Sequence, residues 1–431
     1  MTKRIIALVL AVMMVLAMAA CGNETPAAPS TPAAPSTPAA PSAPAEPVDT
    51  GKAPADMKVI ISLANQADYY IGTMVGATVE AAIKETGANV QIVDGGNDFN
   101  TQNNQIQNAV VQGADLIYIF PAGDAAVHHD SIQMAIDAGI NVVVSNNYPG
   151  EGAYTAYVGS DEFHMGAMMS AMISKWVDET YPDAAAKSID ILTLEASFNN
   201  TAIRRCLGMR LVGEKFLRQA DVNAMDYIRT EGDPVNYIDA DGKEVAVDEP
   251  TGGLILDENG YAILNPYYNE KVNIITYSDR SYIGTDSAAA QAAIENTVAN
   301  GVDLKAVMCY GDTGVASSTK MIELSQDGRI STKDLGKLAV FCSDMTDTNM
   351  EMIKTSAVDE SASILRGVMA AGNLIQSVCD ACIGLMKGEA VESYKMEPLS
   401  YVMANEDGTD TISVFYSDSA QLPATALFFG E

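Results

Sequence analysis

The chain reads as an α/β protein of two lobes, each built on a parallel sheet, with a β-hairpin insertion in the second. Three observations predict this. Short apolar runs alternate with amphipathic stretches of helical period from Val59 to Val158. The same alternation begins again at Phe163. Between about 221 and 272 it gives way to two short strand patterns closed by Asp-Gly and Asn-Gly. Strands that are apolar throughout belong to parallel sheets covered on both faces.

The elements follow in order. Val59–Ala64 is the first strand, and a helix from Gly72 to Thr86 ends at Gly87. Val90–Asp94 is a strand, Thr101–Gln112 a polar helix, and Leu116–Phe120 a strand stopped by Pro121. Asp124–Ala138 is a helix ended by Gly139, followed by strands at Ile140–Ser145 and Ala156–Val158. The second lobe opens with a helix over Phe163–Tyr181, a strand over Ile189–Leu194 and a helix over Thr201–Gln219. After the insertion come the helix Asp286–Asn300, the strand Leu304–Tyr310, the helix Thr313–Ser325 and the strand Lys337–Cys342. Ser363–Lys387 reads as one long helix. Within the insertion, Tyr237–Val245 and Leu254–Leu264 each read strand, turn, strand, because glycine supplies the positive φ that a tight hairpin turn requires. Asp239, Asp241, Asp257 and Asn259 sit where calcium-loop acids could, but the first acidic ligand and the bidentate glutamate are missing. Turns without metal are expected.

Lys3 and Arg4 precede an apolar run from Ile5 to Ala20, and Cys21-Gly22 follows. This is a secretory leader. Met18-Ala19-Ala20-Cys21 resembles the lipobox of bacterial lipoproteins, which implies cleavage after residue 20, lipidation at Cys21 and a membrane anchor. Thr25–Ser42 reads TPAAPS three times. Such a chain favours extended polyproline geometry, reaching roughly 100 Å between Gly22 and Asp56 at about 3.1 Å per residue. The expected boundaries are a signal peptide over 1–20 and a lipidated linker over 21–56. The N-terminal lobe takes 57–161 with 362–392, and the C-terminal lobe 162–361 with 393–431.

The formal charge of −31 becomes −33 once Lys3 and Arg4 leave with the leader. That argues against nucleic acid and anionic lipid surfaces as partners. Beyond Cys21 the cysteines are Cys206, Cys309, Cys342, Cys379 and Cys382, an odd set in apolar stretches that reads as core packing. Cys379 and Cys382 form a C-x-x-C inside a helical pattern rather than a redox turn. Met165, Met168, Met169 and Met172 have helical spacing and read as core. His128 and His129 are adjacent, diverge by about 100° on a helix, and read as helix surface. No GxSxG, HExxH or phosphate-loop pattern occurs, so neither an enzyme nor a cofactor or metal is expected.

Gln105–Ala122 (QIQNAVVQGADLIYIFPA), Ala138–Val143 (AGINVV) and Tyr157–Asp161 (YVGSD) resemble the type I periplasmic sugar-binding proteins, the ribose, galactose and xylose receptors of ABC transporters. The likeness runs from Lys58 to about Glu392, apart from the insertion. It implies two Rossmann-like lobes joined by a hinge of three crossovers, with the ligand in the cleft. It also implies ligand contacts: Tyr69 and Tyr70 as stacking rings, and Asn146 and Asn147 where the family often has Asp-Arg. Arg205 stands in an R-x-x-G pattern with Arg204 as its competitor, and Asp344 follows a strand. Asp312 follows Gly311 where the family often has asparagine, and Glu360 or Ser361 falls near the last crossover. The implied protein is an extracytoplasmic, lipid-anchored, monomeric receptor that delivers a small polar solute, most simply a sugar, to an ABC permease. Alternatives are a sensor that touches a signalling partner, or a binder of nucleosides or other non-sugar solutes.

Overall fold

The computed structural model describes residues 44–150, 152–197, 200–221, 226–227, 229–278, 286–397, 399–404 and 411–415. The leader, Cys21 and the TPAAPS repeats lie outside the described residues. In the first lobe the strands are β1 (Lys58–Leu63), β2 (Asn89–Asp94), β3 (Leu116–Phe120), β4 (Asn141–Ser145), β5 (Ala156–Ser160) and β15 (Tyr394–Glu397). They form one parallel sheet in the order β15-β5-β4-β3-β1-β2. Helices α1 (Ala77–Lys84), α2 (Phe99–Val111), α3 (His129–Asp137) and α9 (Leu374–Met386) complete the lobe. Two apolar clusters, one on each face, bury this sheet.

The second lobe repeats the plan. Its strands β6 (Ile189–Glu195), β11 (Val272–Ser278), β12 (Ala306–Cys309), β13 (Ala339–Ser343) and β14 (Leu365–Ala371) run parallel in the order β11-β6-β12-β13-β14. β16 (Leu399–Met403) and β17 (Thr411–Phe415) extend that sheet antiparallel. Its helices are α4 (Glu162–Thr180), α5 (Asn200–Arg210), α6 (Ser287–Ala299), α7 (Gly314–Gln326) and α8 (Asp347–Val358). The fold class expected from the sequence is the one observed. Among the described residues no helix is long and apolar enough to cross a membrane.

Several elements differ from the sequence reading. The long helix over Ser363–Lys387 is a strand, β14, followed by α9. Gly367 lies against the Phe341 ring, where a methyl would come within 2.7 Å, so the segment packs flat on β13. β14 therefore belongs to the second sheet and β15 to the first. By strand membership the changes of lobe expected near 362 and 393 fall after Ala371 and after Glu397. The edge strand β11 is half polar and merges with the insertion in the sequence. The helix expected over Thr201–Gln219 is α5, ended near Arg210 where the guanidinium grips buried Glu195 through Nε and Nη2 at 2.8 and 2.5 Å. His128 is not on a helix surface: it is buried, with Nδ1 2.8 Å from Asn103 Oδ1 and Nε2 3.1 Å from the Ala122 carbonyl.

The insertion contains the two expected hairpins. After a two-residue pairing of β7 (Ala220–Asp221) with β8 (Asp226–Tyr227), β9 (Asn236–Ile238) pairs with β10 (Glu244–Ala246), and Leu256 bridges Ala262. Asp239 Oδ1 accepts from the Asp241 and Lys243 amides, and Asp257 Oδ1 from those of Asn259 and Tyr261. Those carboxylates shape the turns. The five described cysteines are unpaired and buried, and the α4 methionines lie in the core. The last linker residues are not free spacer. The Val48 backbone exchanges two 2.9 Å hydrogen bonds with the Asn141 side chain, and Lys52 pairs with Asp115 at 2.7 Å.

Helices α4 and α5 cross at two glycines. A methyl on Gly166 would sit 2.0 Å from the Arg205 carbonyl oxygen, and one on Gly208 2.2 Å from that of Phe163. Ser170 Oγ donates within the same contact to the carbonyls of Gly208 and Met209, at 2.8 and 2.9 Å. Gly208→Ala should therefore force the helices apart and cost at least about 1–3 kcal/mol, read as a lower urea midpoint. An unchanged midpoint would mean that the backbones can separate freely.

Candidate functional site

Among the described residues the chain passes between the two sheets three times: from β5 into α4, from β14 into α9, and from β15 into β16. All three crossovers border one cavity of 490 Å³, whose walls include Ser160 and Glu162, then Ala371 and Asn373, then Ser400. A smaller cavity of 130 Å³ lies against the carboxyl ends of β1, β3 and β12, at Ala64, Phe120 and Tyr310. Tyr70, Asn146, Arg205 and Asp344 line both. Ligands of doubly wound sheets bind beyond the carboxyl ends of their strands, and here two sets of ends face each other.

Asn146 and Asp344 occupy matching places. Each follows the fourth strand of its sheet with a left-handed backbone, at φ 68° and 69°. Each amide donates to the neighbouring fifth strand, Asn146 to Val158 at 3.0 Å and Asp344 to Met369 at 2.7 Å. Asparagine and aspartate tolerate that conformation better than other side chains, and it turns both toward the cleft.

Arg205 projects from α5 and is 7% exposed. Its Nε and Nη2 both reach Glu162 Oε2, at 2.7 and 2.6 Å, and Nη1 donates to the Tyr310 carbonyl at 2.9 Å. The guanidinium lies over the Tyr310 ring, 4.6 Å from its centre. Glu162 opens α4, where the helix dipole favours a carboxylate, and its other oxygen accepts from Ser160 Oγ at 2.8 Å. Thus Arg205 is already charge-paired. Among the described lining residues of the two cavities, Asp68, Glu162 and Asp344 face this one arginine. Burial pushes the Asp344 carboxyl up to about 7; Arg205 lowers it, and Asp312, Glu162 and Asp68 add to the rise. By exposure Asp344 is half-buried at the cleft wall. Asp312 is also raised, by burial and then by Asp68 in the opposite lobe.

The expected site residues separate. Tyr70, Asn146, Arg205 and Asp344 converge. Tyr70 packs edge-on against Phe120, 6.4 Å between ring centres, while Tyr69 is 50% exposed and lines neither cavity. The cause is local: Asp68 caps the start of a π-helical stretch, Tyr69–Gly76, on which adjacent residues face different sides, Tyr70 toward Phe120 and Tyr69 toward solvent. Asn147 lines the smaller cavity, but its amide is engaged, with Nδ2 donating to the Gly123 carbonyl at 3.1 Å and Oδ1 accepting from Thr201 of the other lobe. Asp312 sits beside lining residue Gly311 without lining either cavity. Glu360 is a correction. It pairs with Arg366 at 2.8 Å, near the amino ends of β13 and β14, because α8 has carried the chain away from the cleft before it. Ser361 donates to Asp359 there. Arg204 lines a third cavity rather than the inner two.

Residues 59–372 match the family described as the periplasmic binding protein domain, most of the chain. The chain belongs to the periplasmic binding protein family. Among its relatives, the ribose import binding protein RbsB of Bacillus subtilis is 26% identical over 155 residues, 36% of this chain and 48% of that protein. The match thus spans about half the length of that curated relative. A solved ABC transporter solute-binding protein from Bacillus halodurans with bound myo-inositol shares the fold at TM-score 0.55 and 17% identity, covering 82% of this chain and 96% of that one. One from Actinobacillus succinogenes with bound D-allose gives TM-score 0.54 and 12% identity, with 82% and 99% covered. Family membership points to binding of a small ligand rather than catalysis.

Glu162, Asp68, Tyr310 and Asn373 are site residues that the sequence reading did not single out. Glu162 had a faint signal, an acid just inside the helix that follows the family-like Tyr157–Asp161 stretch. The raised Asp344 carboxyl gives a testable pH dependence. It holds its proton more tightly folded than unfolded, so it favours folding below about pH 4, and that contribution is lost as pH rises toward 7. The melting temperature of the ligand-free protein minus that of Asp344→Asn should fall across this window and level off above it. A flat difference would mean that Asp344 ionises as an ordinary surface carboxyl.

Proposed function

We propose that this protein is an extracytoplasmic solute receptor, anchored through lipidated Cys21, that captures a sugar or related polyol and hands it to an ABC permease. The observation that carries the reading is the 490 Å³ cavity bordered by all three crossovers, with an aromatic ring, an arginine and a carboxylate converging on it. A sugar offers C–H faces to a ring such as Tyr70 and hydroxyl donors to Asp68, Asp344 and Asn146. The acid excess in the cleft disfavours anionic solutes. Because the walls belong to both lobes, a ligand held by both stabilises the closed state by its difference in affinity.

A thermal-shift screen over sugars, polyols and nucleosides identifies the ligand, and calorimetry on variants tests the site. Arg205→Ala and Asp344→Ala should each cost roughly 2–5 kcal/mol of binding. Tyr70→Ala should cost about 0.5–1.5 kcal/mol beyond lost area. Tyr69→Ala and Glu360→Ala should leave affinity unchanged. Full affinity in both Arg205→Ala and Asp344→Ala would displace the site from this cleft.

The anchor has its own test. Cys21→Ala should release the protein from the membrane fraction into the medium or periplasm. Retention of the variant on salt-washed membranes would place the anchor elsewhere.

A further inference from the structure

Beside the inner cavities lies a third, of 440 Å³, with walls from both lobes. Asn146, Ser160 and Glu162 line both it and the larger inner cavity. Its first-lobe wall carries Tyr148, Tyr157 and Tyr394 beside the polar Asp124, Asn146 and Asn147. Tyr148 and Tyr394 meet edge to face at 5.7 Å, and Tyr394 is 44% exposed on the edge strand β15. Two buried tyrosines pack against them, Tyr157, which also borders the cavity, and Tyr154. Tyr157 lies 5.3 Å from Tyr394 and 5.2 Å from Tyr148, and Tyr154 lies 5.9 Å from Tyr148. The Tyr157 hydroxyl is fixed to the Asn146 carbonyl at 2.9 Å. The opposing wall carries Arg204 and Thr201 from the first turns of α5.

A large aromatic left half-exposed in a strand is not explained by core packing. Rings held rigid by buried neighbours stack on a ligand at little cost in conformational entropy. A guanidinium across the chamber supplies the forked donors that adjacent hydroxyls accept. We infer that this outer chamber binds a second saccharide ring, stacked on Tyr394 and Tyr148 and hydrogen-bonded by Arg204. The inference rests on the sugar reading of the inner cleft. The ring can be the second unit of a disaccharide whose first unit fills the inner cavity, or a separate monosaccharide.

Calorimetry on the full mature chain tests this with a panel of monosaccharides and with disaccharides built from them, comparing wild type, Tyr394→Thr, Arg204→Gln and Asp344→Asn. Threonine keeps the β propensity of the edge strand. If one ligand spans both chambers, a disaccharide should bind about tenfold tighter than its component sugar. Tyr394→Thr and Arg204→Gln should remove that advantage and leave monosaccharide affinity unchanged, which also shows that the variants are folded. If the rings bind separately, a monosaccharide should titrate at two per chain, and Tyr394→Thr should abolish one of the two events. Binding of a monosaccharide at one per chain, weakened by Asp344→Asn and indifferent to Tyr394→Thr and Arg204→Gln, with no disaccharide bound more tightly, would overturn the outer site while leaving the inner one intact. Absence of any saccharide binding would overturn both.

Discussion

Much of the molecule depends on one buried ion pair, Glu162 with Arg205. The two residues are 5% and 7% exposed. Glu162 belongs to the crossover out of β5, and Arg205 to the helix that floors the cleft. The pair therefore ties the hinge to the site, and the Tyr310 carbonyl ties both to the end of β12. Removing charges from water is costly enough that such a pair is weak evidence for stability, while breaking it leaves a buried charge without a partner. Its contribution is position. Gly166 and Gly208 let the α4 and α5 backbones touch within one helical turn of the pair, and a wider helix separation would carry Arg205 away from Glu162.

A second carboxylate braces the other two crossovers. Glu397, 3% exposed, accepts from the Asn373 amide at 3.2 Å and from Ser377 Oγ at 2.5 Å, with Lys395 3.0 Å away. The crossover into α9 and the one out of β15 are thus joined to each other. A cleft built this way has hinge segments as part of its wall, so a ligand touching Asn373 or Ser160 touches the parts that move. The pairing of Arg205 with Glu162 also shapes the chemistry. With the one inner arginine among the described lining residues neutralised, these residues offer chiefly acceptors, which suits a solute rich in hydroxyl donors better than one carrying a carboxylate or phosphate.

Legibility from sequence followed the physics of each element. The first five strands of the first lobe were readable because its inner strands are apolar on both faces and its helices end at glycines such as Gly87, Gly113 and Gly139, all with positive φ, whereas the partly exposed edge strand β15 was not read. The second lobe was less so. β11 is an edge strand with polar residues, and β14 is written in residues that suit a helix equally well, so only its packing on Phe341 decides its state. Among candidate site residues, Asn146 and Asp344 were reached through the family resemblance, which aligns well there because both directly follow apolar strands, and both line the two inner cavities. Tyr69 and Tyr70 looked equivalent in sequence; the Asp68 cap separates them. Glu360 was misplaced because one helix, α8, reverses the direction of the chain before it. His128 was misread because its partners, Asn103 and Ala122, lie in other segments.

The way the linker meets the body bears on how the cleft can work. Ala45 donates to the Tyr154 carbonyl at 3.0 Å, Val48 pairs with Asn141, and Lys52 pairs with Asp115. Tyr154 and Asp115 lie just before β5 and β3, and Asn141 is the first residue of β4, so all three sit at the amino ends of the first sheet and belong to one lobe. The cleft lies at the opposite, carboxyl ends of the same strands. A strap fixed to one lobe, on the side away from the ligand, leaves the second lobe free to swing about the three crossovers without pulling on the chain that precedes residue 45. Had the strap touched both lobes, every closure would have to break or stretch it, and the free energy of ligand binding would be drawn down by that strain. Asn141 and Asp115 are buried polar residues whose side chains serve the strap, so the first sheet is built to receive it.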